Sequence, residues 1–494
     1  MKVVFVNCGA EGLGVQYLSA ALKQEGHQTS LVFDPTLFDD KVFLNIPFLA
    51  KVFNYTNEVA EDVIKEKPDL VAISIVTDTY QWAVKVAKDI KKKCSVPIIA
   101  GGTHPTIVPE EVIRNKCFDM LCIGEGEQAI VEVANALEKG KSIYGISNIW
   151  ARKGSRVVKN APRSLIRDLN KLAFPDRTIY EPYLNPKDDY LAMSGRGCIY
   201  NCSYCFNNAM KKIYRGKGTY LRRRSPENFV EELVLANQKY DFKILKIYDD
   251  IFTYDVSWLE RFAKLYKKKV GKPYFCLGHP RFLGEKAVKL LKQSNCCWVQ
   301  IGIESTNQQT RKVSCERPET NEEINEMIRV LDKHKLPYEL DHIFGLPGDR
   351  EEDYVFATRF YKKCKSLLKV NTNILSYIPN TEVVEKGLSA KKINKKDLSE
   401  IVEGKESSRV SLGSERNKEL LDMYLGFIVI FKAIKIIPGW LLEIMLKHRF
   451  YIKLKRVDPI AGYLARIASA DKIDTLYVKQ VLSLLFWRIK RYVQ

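Results

Sequence analysis

Short apolar runs alternate with helical patterns twice along this chain, and this alternation limits the fold more than any other feature. In the first 145 residues, five apolar runs are separated by stretches with helical spacing. The predicted strands are 3–7, 29–33, 70–75, 97–100 and 120–123, and the predicted helices are 13–25, 58–67, 79–93, 110–116 and 127–139. This spacing predicts a doubly wound parallel sheet, which binds ligands at the carboxyl ends of its strands.

A second alternation runs from residue 191 to about residue 382. Its predicted strands are 191–194, 244–248, 274–277, 298–303, 338–344 and 373–377, and its predicted helices are 226–240, 257–268, 285–292, 322–334 and 351–364. Six successive strand–helix units predict a partial (β/α)6 barrel, with its active site at the carboxyl ends of the strands.

The sequence therefore predicts an α/β protein with four parts. These are an α/β domain with a doubly wound sheet at 1–145, a connecting segment at 146–190, a partial α/β barrel at 191–385 and a basic helical C-terminal region at 386–494. The connecting segment loses the alternation but keeps apolar residues throughout, which argues against a flexible linker.

The net charge of the chain is +20, from 79 Lys and Arg against 59 Asp and Glu. A basic balance suits nucleic acid, a membrane surface or an anionic substrate. More than half of the excess lies from Lys386 onward, among helical patterns with bulky apolar residues. We expect this region either to form a helical cap over the barrel mouth or to lie on anionic lipid.

Three cysteines, Cys198, Cys202 and Cys205, lie within eight positions directly after the first strand of the second array. No secretory signal is apparent, so we expect a reducing cytoplasmic setting in which clustered cysteines bind metal. A structural zinc ion takes four ligands, as does a fully protein-ligated iron–sulfur cluster, and no fourth Cys or His is nearby. The triplet predicts a 4Fe-4S cluster with one open iron; a zinc knuckle and metal-free buried cysteines are the alternatives.

The segment SGRGCIYNCSYCF at 194–206 resembles the signature of the radical S-adenosylmethionine superfamily. Later segments agree with it: YDDIFT at 248–253, GIES at 302–305 and HIFGLPG at 342–348. Together with GGTHP at 101–105 and GEGE at 124–127, they resemble the subgroup with an N-terminal cobalamin-binding domain. That subgroup includes methylases of unactivated carbon and phosphorus and the oxidative cyclase of bacteriochlorophyll synthesis.

The resemblance implies that the three cysteines hold the cluster, which is reduced by an external electron donor and cleaves bound S-adenosylmethionine to a radical. It implies cofactor contacts for Phe206, Asp249, Asp250, Glu304 and Gly345. Acidic residues at strand ends and a Pro-Gly loop are also common without any ligand. The residues predict no catalytic base.

The resemblance also implies cobalamin in the first domain. The residues expected along the corrinoid and its nucleotide tail are Ser74, Thr77, Gly101, Gly102, His104, Gly124, Glu125 and Gly126. The chain lacks the Asp-x-His-x-x-Gly motif that supplies a histidine ligand to cobalt, because neither His27 nor His104 has Asp two positions before it. His104 can equally be a turn residue, and such a sheet can persist after its cofactor is lost.

The resulting prediction is a cobalamin-dependent radical C-methyltransferase acting on a hydrophobic or anionic small molecule. The alternative is a radical oxidative cyclase or rearrangement enzyme without methyl transfer. An RNA-modifying radical enzyme is less favoured, because Cys8, Cys94, Cys117 and Cys122 do not form a second cluster motif and the C-terminus is helical. A non-enzymatic zinc- or cluster-binding module is the remaining class. The position of the positive charge favours a membrane surface or a lipid-like substrate over nucleic acid.

Overall fold

A computed structural model describes residues 1–40, 44–405, 417–457 and 472–493. Two sheets dominate the part of the chain that it describes: a mixed, mainly parallel sheet of seven strands and a fully parallel sheet of six. The fold class predicted from the sequence is confirmed.

The first sheet has a parallel centre and an antiparallel edge. The strands of this region are β1 (Lys2–Cys8), β2 (Gln28–Asp34), β3 (Asp39–Asp40), β4 (Leu44–Asn45), β5 (Leu70–Ser74), β6 (Ile98–Gly101), β7 (Met120–Cys122), β8 (Ile149–Lys153) and β9 (Arg156–Lys159). Their order in the sheet is β2-β1-β5-β6-β7-β8-β9, and β3 and β4 form a separate short pair. Alternate residues of β1 enter two apolar cores: Val4 and Val6 pack on one face, and Val3 and Phe5 on the other. A strand buried on both faces is a nearly continuous apolar run, so its position was predictable.

Helices cover both faces of this sheet. They are α1 (Leu13–Gln24), α2 (Pro47–Val52), α3 (Val59–Lys65), α4 (Tyr80–Lys93), α5 (Thr103–Ile107), α6 (Pro109–Arg114) and α7 (Glu127–Glu138). Short 3₁₀ helices occur at Thr77–Thr79, Leu169–Lys171, Arg177–Tyr180, Pro280–Phe282 and Phe450–Val457.

The connecting segment contains two strands that the sequence analysis did not predict. β8 pairs antiparallel with β7, and β9 pairs antiparallel with β8, so the first sheet continues to residue 159. The two strands join through Gly154, which has a φ of +60°. Their Arg and Lys residues interrupt the apolar pattern, because much of this edge hairpin faces solvent.

The second sheet is fully parallel, and its strands follow chain order, as in a partial barrel. The strands of this region are β10 (Asp189–Ala192), β11 (Gly195–Arg196), β12 (Arg222–Arg223), β13 (Ile244–Ile247), β14 (Tyr274–Gly278), β15 (Cys296–Glu304), β16 (Tyr338–Phe344) and β17 (Leu367–Ile374). β11 and β12 form a separate antiparallel pair. The helices are α8 (Phe206–Ile213), α9 (Pro226–Tyr240), α10 (Val256–Lys269), α11 (Glu285–Gln293), α12 (Gln308–Val313), α13 (Asn321–His334) and α14 (Glu351–Lys363).

The sixth barrel strand was predicted at 373–377, and the structure places it at Leu367–Ile374. Leu367 and Val370 pack outward into the main core, whereas Lys369 and Asn371 lie on the opposite side of the strand. This mixture has no continuous apolar run, and the prediction therefore began too late.

The C-terminal region is helical where it is described, with α15 (Glu382–Ser389), α16 (Lys395–Val402), α17 (Lys418–Lys432), α18 (Gly439–Lys447) and α19 (Lys472–Val493). α17 packs beside β17 and α14, with Phe431 against the ring of His342, and so lies on the flank of the barrel. α19 packs on the first domain, where Trp487 contacts Tyr55 and Arg488 pairs with Glu58. Over the described ranges, a helix with the length and apolarity needed to cross a membrane is absent.

Candidate functional site

The three cysteines lie on one loop between β11 and α8, beyond the carboxyl end of β10. The loop is fixed at its centre, where the Ser203 N–H donates to the Cys315 carbonyl at 3.0 Å. On its other side, the Val383 N–H donates to the Ser203 carbonyl at 2.9 Å. A short segment held at its centre can present several thiols to one ligand.

The thiol environment suits metal ligation. The Tyr200 N–H donates to Cys198 Sγ at 3.4 Å, and Asn207 Nδ2 donates to Cys205 Sγ at 3.6 Å. Burial raises the pKa of Cys198 to about 11 and that of Cys205 to about 12. Metal binding must therefore displace the thiol protons, since the thiolate is the ligand.

The donor set fits an iron–sulfur cluster better than zinc. In the described ranges, no three His, Cys, Asp or Glu side chains converge closely enough for a single metal ion. Structural zinc takes four ligands, whereas a 4Fe-4S cluster is larger and its thiolates need not converge on one point. Three thiols on one loop fit a cluster with one iron left for another ligand.

Phe206 begins α8 directly after Cys205 and is 36% exposed, so a planar ligand can approach its ring. The buried Asn207 beside it accepts a hydrogen bond from the Tyr220 hydroxyl at 2.6 Å and donates to the Cys205 sulfur. Burial raises the pKa of Asp250, while a hydrogen bond from Asn207 opposes that shift. Asn207 thus links the segment 197–205, which carries the three cysteines and is called the cluster loop below, to the end of β13. The sequence analysis missed this role.

Asp249 is buried and already engaged. The Ser194 N–H donates to Asp249 Oδ1 at 2.6 Å, and the Ser194 hydroxyl donates to Oδ2. Arg223 lies 3.5 Å from the same carboxylate. Asp249 therefore ties the start of the cluster loop to β13.

Glu304 ends β15 in a left-handed conformation, with φ of +61°, which is rare for a residue with a side chain. The Tyr204 hydroxyl donates to its Oε1 at 3.0 Å, and Arg317 donates to that hydroxyl at 3.1 Å. Burial raises the pKa of Glu304 to about 7, although Arg317 opposes the shift. Tyr204 stands between two of the cysteines, so this buried carboxyl is linked directly to the cluster loop.

Gly345 lies just beyond β16 with φ of +81°, a conformation that favours glycine. Its N–H donates to the Tyr354 hydroxyl at 3.2 Å, and the next N–H, of Leu346, donates to Asp349 at 3.2 Å. The turn is therefore anchored by α14 at the carboxyl end of the barrel.

The inner face of the barrel is polar, which the sequence analysis did not predict. Gln300 donates to the Asp341 carboxylate at 3.0 Å, and Asn371 donates to Asp341 at 2.8 Å and to Glu339 at 2.9 Å. Their outward neighbours, such as Leu340, pack against the helices, so these groups point into the lumen. Strands with one polar face show the same alternation whether that face meets solvent or a lumen.

At the first sheet, the predicted small residues lie at or just beyond the strand ends. Ser74 ends β5 and Gly101 ends β6, and Thr77 begins the 3₁₀ turn after β5. Gly102 has φ of +106°, and a Cβ there would lie 2.5 Å from the Ile75 carbonyl oxygen, so only glycine fits. Small residues allow a large planar ligand to approach the backbone, which fits a corrinoid.

His104 is 1% exposed. Its Nδ1 lies 3.2 Å from the Thr77 hydroxyl, and its ring centroid lies 4.4 Å from that of Tyr80. Nε2 is buried and has no hydrogen-bond partner among the residues that the structure describes. Burial lowers the pKa of His104 to about 4, so the ring is neutral at physiological pH.

Replacing His104 with Gln is expected to reduce the acid sensitivity of the fold. A folded-state pKa near 4 lies below the ordinary 6.5, so the contribution to stability is complete above pH 6.5 and is lost as the pH falls towards 4. The wild-type chain should lose on the order of 3 kcal/mol more than the variant across this window. Thermal melts at pH 7 and pH 4 measure the effect, with His448→Gln on the surface as control; parallel pH profiles of the wild type and the His104 variant would contradict it.

The turn after β7 connects the two domains. Arg222 donates to both oxygens of Glu125, at 3.0 and 2.8 Å, and Arg196 donates to Glu125 at 3.0 Å and also to Glu127. Burial raises the pKa of Glu125, but the two arginines outweigh it and hold the pKa below its ordinary value. We call Glu125, Glu127, Arg196 and Arg222 the arginine clamp.

The clamp lies next to two glycines of the predicted corrinoid turn, Gly124 and Gly126. A Cβ at Gly124 would collide with the Tyr214 hydroxyl, which accepts a hydrogen bond from the Glu125 N–H at 2.7 Å. Arg196 is two residues before Cys198, so the clamp joins the turn at 124–126 to the loop that carries the three cysteines. The sequence analysis did not predict that the arginines at 222–224 form buried ion pairs rather than a solvated basic patch.

Comparison with known proteins agrees with this geometry. The B12 binding domain family matches residues 6–134, and the Radical SAM superfamily matches residues 193–360. The chain is 27% identical over 366 residues to an uncharacterized methyltransferase of Pyrococcus horikoshii, covering 71% of this chain and 73% of that protein. It is 21% identical over 316 residues to the anaerobic magnesium-protoporphyrin IX monomethyl ester cyclase of Synechocystis, covering 61% of each.

A solved structure shares the whole architecture. The radical S-adenosylmethionine methyltransferase TsrM from Kitasatospora setae, with cobalamin and a 4Fe-4S cluster bound, matches with a TM-score of 0.65 and 13% identity. The match covers 95% of this chain and 100% of that chain. At this identity the likeness establishes a common fold.

Proposed function

The chain belongs to the radical S-adenosylmethionine superfamily and carries a B12-binding domain before its radical domain, and from this premise we propose that it is a cobalamin-dependent C-methyltransferase. The observation that carries the proposal is the three-cysteine loop clamped to the carboxyl edge of the B12-binding sheet. When bound, the cluster with S-adenosylmethionine supplies a carbon-centred radical, and cobalamin supplies a methyl group.

The residues of the chain bind and orient these partners. Cys198, Cys202 and Cys205 would hold the cluster, and Asn207 would orient the loop through its bonds to Cys205 and Tyr220. Glu304, held by Tyr204 and Arg317, offers a hydrogen-bonding carboxyl at the carboxyl end of the barrel.

We propose that the substrate is a hydrophobic or anionic small molecule. Four large apolar side chains are exposed near the carboxyl ends of the two sheets: Val76, Ile199 and Tyr248 in loops, and Phe206 at the start of α8. Exposed apolar groups that follow strand ends are typical of a ligand groove. An external donor supplies the electron, since the other nine cysteines form no second cluster motif. The basic C-terminal region makes peripheral contact with a membrane.

The deciding experiment is anaerobic reconstitution of the full chain with iron, sulfide, S-adenosylmethionine and cobalamin under a strong reductant. We expect 5′-deoxyadenosine from radical formation and S-adenosylhomocysteine from methyl transfer. Leaving out cobalamin should remove the second product and keep the first. A chain that forms no 5′-deoxyadenosine would refute the proposal.

The second candidate is an oxidative cyclase or rearrangement enzyme that transfers no methyl group. The similarity to the Synechocystis cyclase favours it. The same experiment separates the two candidates, because a cyclase would form 5′-deoxyadenosine without S-adenosylhomocysteine.

A further inference from the structure

α18 and the turn before it expose an apolar stripe on the flank of the barrel. Ile436, Trp440 and Ile444 follow one another at intervals of four residues and are 53%, 68% and 41% exposed. The opposite side of α18 is buried, with Leu442 and Leu446 in the main core. The stripe is therefore a surface feature of a well-packed helix, since α18 does not need it for packing.

Basic residues border this stripe. Lys362 donates to the Ile437 carbonyl at 2.6 Å, and Lys435 donates to the Cys364 carbonyl at 2.9 Å, so the end of α14 lies beside the turn before α18. This places the exposed Lys363 and Lys365 near Ile436, while Lys447 ends α18.

The acidic residues around the stripe are neutralised by arginine. Glu443 pairs with Arg359 at 2.8 Å, and Glu351 pairs with Arg449 at 2.7 Å. Lys363, Lys365 and Lys447 form no ion pair with any residue that the structure describes. The border of the stripe consequently carries a net positive charge.

We infer that this face docks on a bilayer surface rich in anionic phospholipid. A tryptophan and two isoleucines can enter the boundary between headgroups and acyl chains, and lysines at the border can meet the phosphates. The inference deepens the membrane contact of the proposed function by assigning it to the α18 face. It requires neither the cluster nor cobalamin.

A second exposed apolar set on α19 provides a contrast. Leu482, Phe486 and Ile489 are also exposed there. The two arginines of that helix, however, pair with Glu58 and Asp62 of the first domain. Because these arginines are engaged with the first domain, the apolar set of α19 serves as the comparison surface for the α18 face.

The test is co-sedimentation of the full chain, without added cofactors, with vesicles of phosphatidylcholine alone or mixed equally with phosphatidylglycerol. The chain should bind the mixed vesicles and release at high salt. Combined Ile436→Ser, Trp440→Ser and Ile444→Ser should weaken binding roughly tenfold or more, and Lys447→Glu roughly fivefold. Because Ile436, Trp440 and Ile444 are exposed, the melting temperature of the triple variant should stay close to that of wild type.

The matched control combines Leu482→Ser, Phe486→Ser and Ile489→Ser and should change binding less than about twofold. Equal binding to both vesicle types, no binding, or loss of binding in the control variant alone would overturn the inference. So would self-association that only the α18 variant abolishes, because the face would then bind a second copy. If the vesicle experiment contradicts the inference, 5′-deoxyadenosine formation is still expected. Failure of the membrane-docking inference is therefore distinguishable from failure of the proposed enzyme activity.

Discussion

Replacing any one of Cys198, Cys202 or Cys205 with Ala is expected to abolish radical formation. Each removes one of only three thiols on the loop. Two thiolates hold a 4Fe-4S cluster poorly, so 5′-deoxyadenosine formation should fall by roughly a thousandfold or more. Iron and sulfide analysis after anaerobic reconstitution, together with product quantification, measures both losses.

The control for this series is Cys94→Ala. Cys94 is also partly exposed, but it ends α4 at a distance in sequence from the loop. Its removal should leave iron content and 5′-deoxyadenosine formation unchanged. If a loop variant kept full iron content and activity, the cluster would have to be held elsewhere, and the assignment of the loop would fail.

Much of the fold followed from buried parallel strands. β1 and β5, for example, are buried along nearly their whole length, and their sequences are compact apolar runs. β8 and β9 escaped prediction because an edge hairpin needs few apolar residues, and Arg and Lys occupy its exposed face. The prediction for β17 began too late in the sequence because the inner face of this strand carries Lys369 and Asn371.

The part of the site whose residues are close together in the sequence could be predicted. Three cysteines on one loop can be recognised without a structure, whereas Asn207, Tyr204 and Arg317 gain their roles only through contacts made by folding. Tyr204 and Arg317, for example, are 113 residues apart yet share a hydrogen bond. Charge runs are equally uninformative, because Arg222 and Arg224 are buried in ion pairs although each stands in a basic run.

The arginine clamp leads to the second large effect. Glu125→Gln removes the charge that Arg196 and Arg222 share, so that the buried Arg222 loses its carboxylate partner and Arg196 keeps only Glu127. Breaking a buried pair from one side costs about 3 kcal/mol or more, so the thermal midpoint should fall. The variant should also change the ratio of S-adenosylhomocysteine to 5′-deoxyadenosine, because the clamp fixes the turn at 124–126 relative to the cluster loop.

The ratio of the two products shows whether the variant loses alignment of the two domains or only loses folded protein. Loss of folded protein would reduce 5′-deoxyadenosine and S-adenosylhomocysteine in the same proportion. Loss of alignment should reduce S-adenosylhomocysteine by roughly tenfold or more and leave 5′-deoxyadenosine formation near wild type, because a displacement of about 1 Å can cost a hundredfold in rate. Arg222→Lys keeps the positive charge but loses the two parallel hydrogen bonds to the carboxylate. Its S-adenosylhomocysteine formation should therefore lie between that of wild type and that of Glu125→Gln. Arg114→Gln, which breaks an exposed pair with Glu111, is the control and should change neither the product ratio nor the melting temperature.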